Sequence, residues 1–410
     1  MYDIDKIRRD FPMLDNKKMQ NKPLIFLDNA STTFKPQCVI DKMNEYYTEM
    51  TSNSHRGDYD LCYNIDVEVA KARKEIAKFI NSEVNEVVFT SGDTEAINLV
   101  AYGYALDNLK KGDKILLSIT EHASNVLPWY RICELTGAEV VFVELENKRI
   151  TVNSVKNAFN KYSNIKLAAF AHVGNVLGYD INAKEIASIC HSHGALILLD
   201  GAQSVPHMTI DFKDLDVDFL TFSAHKMCGP TGIGCLVGKY DLLQKMSTFH
   251  LGGGMNVKFN KDMGLEVLDA PAKFEAGTLN LSAIMGFGEA VKYISNIGIE
   301  NIHKHDQELF DYAISKLEKE DKIIIYNKDS RNGIISFNIK GVFAQDEATL
   351  LNSKGIAVRS GQHCAKMIDE VIGEPATVRM STYLYTSKEE VDVFIDALIN
   401  GGDILDAYFN

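Results

Sequence analysis

Prolines are few in this chain, 8 among 410 residues, and no Pro/Gly/Ser-rich linker, internal repeat or low-complexity tract interrupts it. That excludes fibrous and largely disordered classes. Apolar runs such as Ala195–Leu199 fall far short of the roughly 20 residues that a membrane-spanning helix needs. Met1-Tyr2-Asp3-Ile4-Asp5-Lys6 lacks the basic-then-apolar profile of a secretory signal, so no membrane association is expected. Excess positive charge is missing too: the net charge is −13, which makes binding to nucleic-acid phosphates an unlikely main task. The cysteines Cys38, Cys62, Cys133, Cys190, Cys228, Cys235 and Cys364 form no CxxC pair, which argues for reduced thiols and a cytoplasmic setting rather than a disulfide framework. No histidine or cysteine pair has zinc-like spacing. His191 and His193 are two apart on an expected helix and face away from each other, so no metal site is expected. What remains is 46% hydrophobic and 24% charged, and a chain this long buries roughly three quarters of its unfolded surface without staples.

The middle of the chain alternates short apolar strands with longer amphipathic stretches. Strands are expected at Val87–Thr90, Lys114–Ser118, Glu139–Leu145, Lys166–Val173, Ala195–Asp200, Asp218–Ser223 and Gly234–Gly238. Between them, Ile65, Val69, Ala72, Ile76 and Phe79 keep the 3.6-residue helical period. Several strands are unbroken apolar runs, as in a parallel sheet covered on both faces. The pattern predicts an α/β fold: a large, doubly wound, mostly parallel sheet. Two helices, Leu281–Ile297 and Ile299–Leu317, then lead to strands Lys322–Tyr326, Gly333–Ile339 and Ile356–Ser360 and a closing helix from Ser387. The expected division is a large domain over 23–291 and a smaller α+β domain formed by 1–22 and 292–410.

Ligands of such sheets bind beyond the carboxyl ends of the strands. After Val87–Thr90 comes Ser91-Gly92-Asp93-Thr94-Glu95, where free amides at a helix start and the Thr94 hydroxyl could cradle a phosphate. Ordinary helix caps use the same residues and are commoner. The next signal is Asp200, directly after an apolar strand, a buried acid in need of a cationic or hydrogen-bonding partner. The third is Lys226, in Ala224-His225-Lys226-Met227-Cys228-Gly229-Pro230 after Asp218–Ser223. A solvated surface lysine is the default, but a lysine in the crevice with Asp200 can form an imine with an aldehyde cofactor. Phosphate cradle, acid and lysine together match the needs of pyridoxal phosphate.

Ser223-Ala224-His225-Lys226, Asp200-Gly201-Ala202-Gln203 and Glu121-His122-Ala123-Ser124-Asn125 resemble the fold-type I pyridoxal phosphate enzymes of the class V aminotransferase group. Arg359-Ser360-Gly361-Gln362-His363-Cys364-Ala365 is similar to the group II (Suf-type) cysteine desulfurases and selenocysteine lyases. Asp28-Asn29-Ala30, His55-Arg56-Gly57, His172 to Gly178, Phe274-Glu275-Ala276-Gly277-Thr278 and Val378-Arg379 support the likeness. The resemblance implies conversion of L-cysteine to L-alanine with a persulfide on Cys364. A Suf-type acceptor protein would then take the sulfur for iron–sulfur or related assembly. Release of selenium from L-selenocysteine is the alternative.

The same resemblance assigns the residues. Lys226 would hold the cofactor and later act as base, Asp200 would pair with the ring nitrogen, His122 would stack on the ring, and Gln203 would bond its 3′-oxygen. Thr94, Ser223 and His225 would hold the phosphate, joined by Thr278 from a second subunit, which implies a homodimer. Arg379, aided by Asn175, would clamp the substrate carboxylate, because a guanidinium fork matches a carboxylate. Arg359, His55 and Arg56 belong to the segments counted with the substrate. Cys364 is the nucleophile, and the other cysteines read as small core hydrophobes. Only 15 positions separate Cys364 from Arg379, too short a connection for a long mobile loop.

Some residues depart from the family pattern. Asp93 stands where a small hydroxyl residue is usual and, as a carboxylate beside a phosphate, is expected to point away and cap its helix. Gly174 replaces a frequent serine, Gln362 a frequent histidine, and Tyr59 lies where a second histidine often follows His55-Arg56-Gly57. Val342-Phe343-Ala344-Gln345 lacks the histidine with which some relatives meet a zinc-containing acceptor.

Overall fold

A computed structural model describes residues 2–54, 57–262 and 264–402. Seven strands form the main sheet: β1 (Val87–Thr90), β2 (Lys114–Leu117), β3 (Glu139–Phe142), β4 (Ile165–Ala171), β5 (Leu196–Asp200), β6 (Phe219–Ser223) and β7 (Gly234–Gly238). Their order is β1-β7-β6-β5-β4-β2-β3. The run from β3 to β6 is parallel, and β7 is antiparallel to both β1 and β6. The expected mostly parallel α/β sheet is therefore present. Its unbroken apolar runs have a visible cause, because successive residues feed opposite cores. Ile197 and Leu199 join Ile65, Val69, Ile76 and Phe287 on one face, while Leu198 joins Leu99, Trp129 and Ile132 on the other. Each strand thus loses apolar surface to both sides, at about 25 cal/mol per Å² removed from water.

A second sheet contains β8 (Ile323–Ile325), β9 (Ile334–Ile339), β10 (Arg359–Gly361) and β11 (Thr377–Ser381), ordered β8-β9-β11-β10 and antiparallel throughout. The helices Ile299–Leu317 and Lys388–Asn400 cover it through Leu309, Phe310, Val391 and Phe394. The single strand expected at Ile356–Ser360 is in fact two. Ile356–Ala357 pairs in parallel with Ile25–Phe26, and β10 joins the second sheet. β11 had no sequence signal, because the charged Arg379 interrupts its apolar pattern although all five residues are buried.

The first residues pack across the expected division at residue 23. Ile7 and Phe11 belong to the core of the main sheet, whereas Ile25 and Leu27 belong to that of the second. The consequence for the site is local: a parallel bridge from Asp28 to Ser381 lays Asp28–Ser31 beside β11. No helix of the described residues is long and apolar enough to cross a membrane.

Candidate active site

The carboxyl ends of β1, β5 and β6 open into one cavity of about 290 Å³ between the two sheets. Its wall contains Thr94, His122, Asn175, Asp200, Gln203, Ser223, His225, Lys226, Arg359, Cys364 and Arg379. Eleven residues singled out in sequence therefore converge, although up to 285 positions separate them. Thr278 does not join them: it is exposed, and its hydroxyl donates to Asn53 Oδ1 at 3.3 Å. His55 and Arg56 lie outside the described residues.

At the cradle end, Gly92 precedes the helix Asp93–Val100. The Asp93 N–H donates to Ser223 Oγ at 2.7 Å, so the serine proton is left to donate elsewhere. Thr94 Oγ1 lies 2.7 Å from Ser124 Oγ. Ser124 also serves His122, whose Nδ1 accepts its N–H at 3.2 Å. His122 is thus both a satisfied helix-start residue and a cavity wall. Burial, then the nearby Lys226 charge, pull its basicity down, so the ring is neutral near pH 7. His225 is drawn down to about 4 by burial and by Lys226 and Lys35.

Burial also holds Lys226 below the usual lysine range, against the opposing pull of Asp200 and Asp93. Asp200 Oδ1 accepts the Ala202 N–H at 2.9 Å, and Gln203 Nε2 donates to Ala30 O at 2.7 Å. Asp93 corrects an expectation. Its side chain makes no capping bond and instead lines the cavity, buried like Asp200 and in the same wall as the half-buried Lys226. Gly92, not Asp93, occupies the capping position, and an acid one residue into the helix faces the strand ends rather than the free amides. Burial, then repulsion by Asp200, push Asp93 up to about 7. Behind His122, Glu121 bonds Asn125 Nδ2 at 2.8 Å and the Ala171 N–H at 2.9 Å, and burial raises it to about 8.

Across the cavity, Arg379 is 3% exposed. Its Nη1 donates to Asn175 O at 2.7 Å, and its Nη2 donates to Ser31 Oγ at 3.0 Å and Asp28 Oδ1 at 3.3 Å. Those bonds use three of its five N–H groups, and its Nε, itself buried, has no partner among the described residues. Burial draws Arg379 down to about 10, so it keeps its charge at neutral pH. Asp28 also takes Arg359, at 2.9 Å, and so pairs both arginines. The sequence motifs contain Asp28 and Ser124 but assign them no role; the signals available were an acid and a hydroxyl beside the marked residues.

Cys364 is the exposed cysteine; Cys62, Cys190, Cys228 and Cys235 are buried. Burial pushes the Cys190 and Cys228 thiols up to about 12. Cys364 instead shares its cavity with Lys226, Arg359 and Arg379. Its backbone is held in place. His363 and Cys364 both adopt left-handed conformations, φ 53° and 60°, which are costly for residues with a Cβ. Asn175 Nδ2 donates to His363 O at 2.8 Å, His363 Nε2 meets Thr377 Oγ1 at 2.9 Å, and Cys364 O accepts the Ala123 N–H at 2.8 Å. Asn175 therefore braces the cysteine turn besides facing the cavity.

These residues fit pyridoxal phosphate. Free amides and a serine proton suit its phosphate, a buried acid suits its ring nitrogen, and a lysine of lowered basicity suits its aldehyde carbon. The Arg379 guanidinium on the cavity wall suits a substrate carboxylate.

Comparison with known proteins agrees. The family described as Aminotransferase class-V matches residues 25–394. A probable cysteine desulfurase of Halalkalibacterium halodurans is 41% identical over 406 residues, 98% of each chain. A cysteine desulfurase of Haloferax volcanii is 39% identical, covering 97% of this chain and 96% of that protein. Among solved structures, the cysteine desulfurase CsdA (S-sulfonic acid) from Escherichia coli matches with a TM-score of 0.90 at 31% identity, over 98% of each chain.

Proposed function

Since the chain belongs to the aminotransferase class-V family and stands among its cysteine desulfurases, we propose that it converts L-cysteine to L-alanine with pyridoxal phosphate and takes the sulfur onto Cys364. One observation carries this reading: the exposed Cys364 opens onto the same cavity as Lys226, Asp200 and Arg379. When bound, pyridoxal phosphate supplies an electron sink for the substrate's α-carbon.

The chain's residues do the rest. Arg379 receives the substrate carboxylate and fixes its orientation. Lys226, made less basic by burial, takes the α-proton and later returns one. Asp200 would keep a proton at the ring nitrogen, His122 would stack on the ring, and Gln203 would bond the 3′-oxygen. Thr94, Ser223 and His225 would hold the phosphate. The Cys364 thiolate attacks the substrate sulfur: an S–S bond forms, the C–S bond breaks, and its electron pair stays with the carbon fragment, which gains protons to become alanine. No external oxidant is consumed, because the persulfide sulfur is the oxidised partner of the reduced carbon.

The braced cysteine turn favours an acceptor protein that comes to Cys364. Thr278, exposed beside Asn53, is free to complete the phosphate site of a second copy in a homodimer. A cytoplasmic location and a Suf-type acceptor belong to the same reading. Stoichiometric alanine and sulfide from cysteine and a thiol reductant, dependent on pyridoxal phosphate and lost in Lys226→Ala, are the expected result. Cysteine consumed without alanine, or full turnover by Lys226→Ala, would overturn it.

A further inference from the structure

Asp93 is the one buried acid in the cavity wall that the roles above leave unused. It is 8% exposed, and its Oδ1 has no hydrogen-bond partner among the described residues. The neighbouring Thr221 hydroxyl, from β6, is buried against it and favours its ionised form, opposing the larger effects of burial and Asp200. The charged groups that face Asp93 are Asp200 at the end of β5 and Lys226 in the turn after β6. Next to it in the chain is Thr94, and its own N–H holds Ser223, so it sits between the phosphate cradle and the ring-nitrogen acid. A buried acid in such a place is best accommodated as the neutral form, which adds no charge beside Asp200.

We propose that Asp93 is a positioning residue for cofactor capture: its neutral acid completes the pocket, and its ionised form opposes entry of pyridoxal phosphate. This inference rests on the reading of the cavity as a pyridoxal phosphate site. Ionised Asp93 sets a second carboxylate against Asp200 and a negative charge beside the residues that would take a phosphate dianion. A small hydroxyl residue at this position would have no such charge state. The rise of Asp93 to about 7 puts the change near neutrality. Cofactor capture by this chain therefore weakens with rising pH in a way that a hydroxyl residue would not produce.

The test titrates cofactor-free wild type, Asp93→Asn and Asp93→Thr with pyridoxal phosphate from about pH 6 to about pH 9, followed by absorbance. The ratio of dissociation constants, wild type over Asn variant, is expected near one at the acid end. It should climb roughly tenfold per pH unit once Asp93 ionises, because only the neutral fraction binds well. Asp93→Thr should follow the Asn variant and supplies the comparison if that variant fails to fold. A ratio independent of pH would overturn the proposal, since a packing or helix-start role shifts binding equally at every pH. Folded wild type that binds no pyridoxal phosphate at any pH would defeat the reading of the cavity, and this inference with it.

Discussion

Arg379 shows how single residues are made ready in advance. It spends three of its five N–H groups on Asn175, Ser31 and Asp28, which fix the guanidinium in the cavity wall. A lysine at this position keeps the charge and loses the fork. Arg379→Lys should raise KM for cysteine roughly tenfold or more while the cofactor is retained, given the strength of charged hydrogen bonds. Unchanged steady-state kinetics would remove Arg379 from the substrate site. Glu121 makes a different prediction. Folding raises its carboxyl to about 8, so the folded state holds a proton that the unfolded chain gives up. Its contribution to stability is complete below the ordinary carboxyl range and is lost as pH rises through about 8, by about 1.4 kcal/mol per pH unit for one proton. Glu121→Gln removes that term. The variant should gain stability on wild type steadily from about pH 5 to about pH 8, read by urea unfolding of the cofactor-free protein. A constant difference would show that Glu121 is ionised in the fold.

At the scale of elements, the site depends on strand ends being held at close spacing. A Cβ on Gly234 of β7 would lie 2.7 Å from Gly92 Cα and 2.6 Å from Phe222 O. Both obstacles are backbone, so the loop before the helix Asp93–Val100 would have to shift. Gly234→Ala should cost on the order of 1–3 kcal/mol and weaken pyridoxal phosphate retention as well. Thermal unfolding with and without cofactor separates the two effects; a variant of wild-type stability and retention would contradict the close packing. The same elements show what sequence carried. Strand ends were legible because unbroken apolar runs stop at Thr90, Asp200 and Ser223, and Lys226 follows the last of them. β11 was not, because a buried arginine looks like a break in the pattern. Nor was the inward turn of Asp93, which depends on where Gly92 ends its loop rather than on residue type.

For the whole molecule, the question is what completes the site that one chain leaves open. Thr278 is exposed outside the cavity, and its partner Asn53 lies close in sequence to the exposed side chains of Tyr47, Tyr59, Leu61 and Tyr63. A second copy that brings a Thr278 to each phosphate end is what the proposed homodimer requires. Light scattering should give twice the chain mass, and Thr278→Ala should weaken cofactor retention without loss of fold. A monomer that retains cofactor fully would contradict this arrangement. The central claim is that sulfur leaves cysteine for Cys364, the exposed cysteine on the cavity wall. Its most direct test is non-reducing peptide mass spectrometry of the pyridoxal phosphate-loaded protein after brief exposure to cysteine. One added sulfur on the Cys364 peptide, absent in Cys364→Ser, is the predicted result, whereas added sulfur only on another cysteine such as Cys228, or full desulfuration by Cys364→Ser, would contradict it.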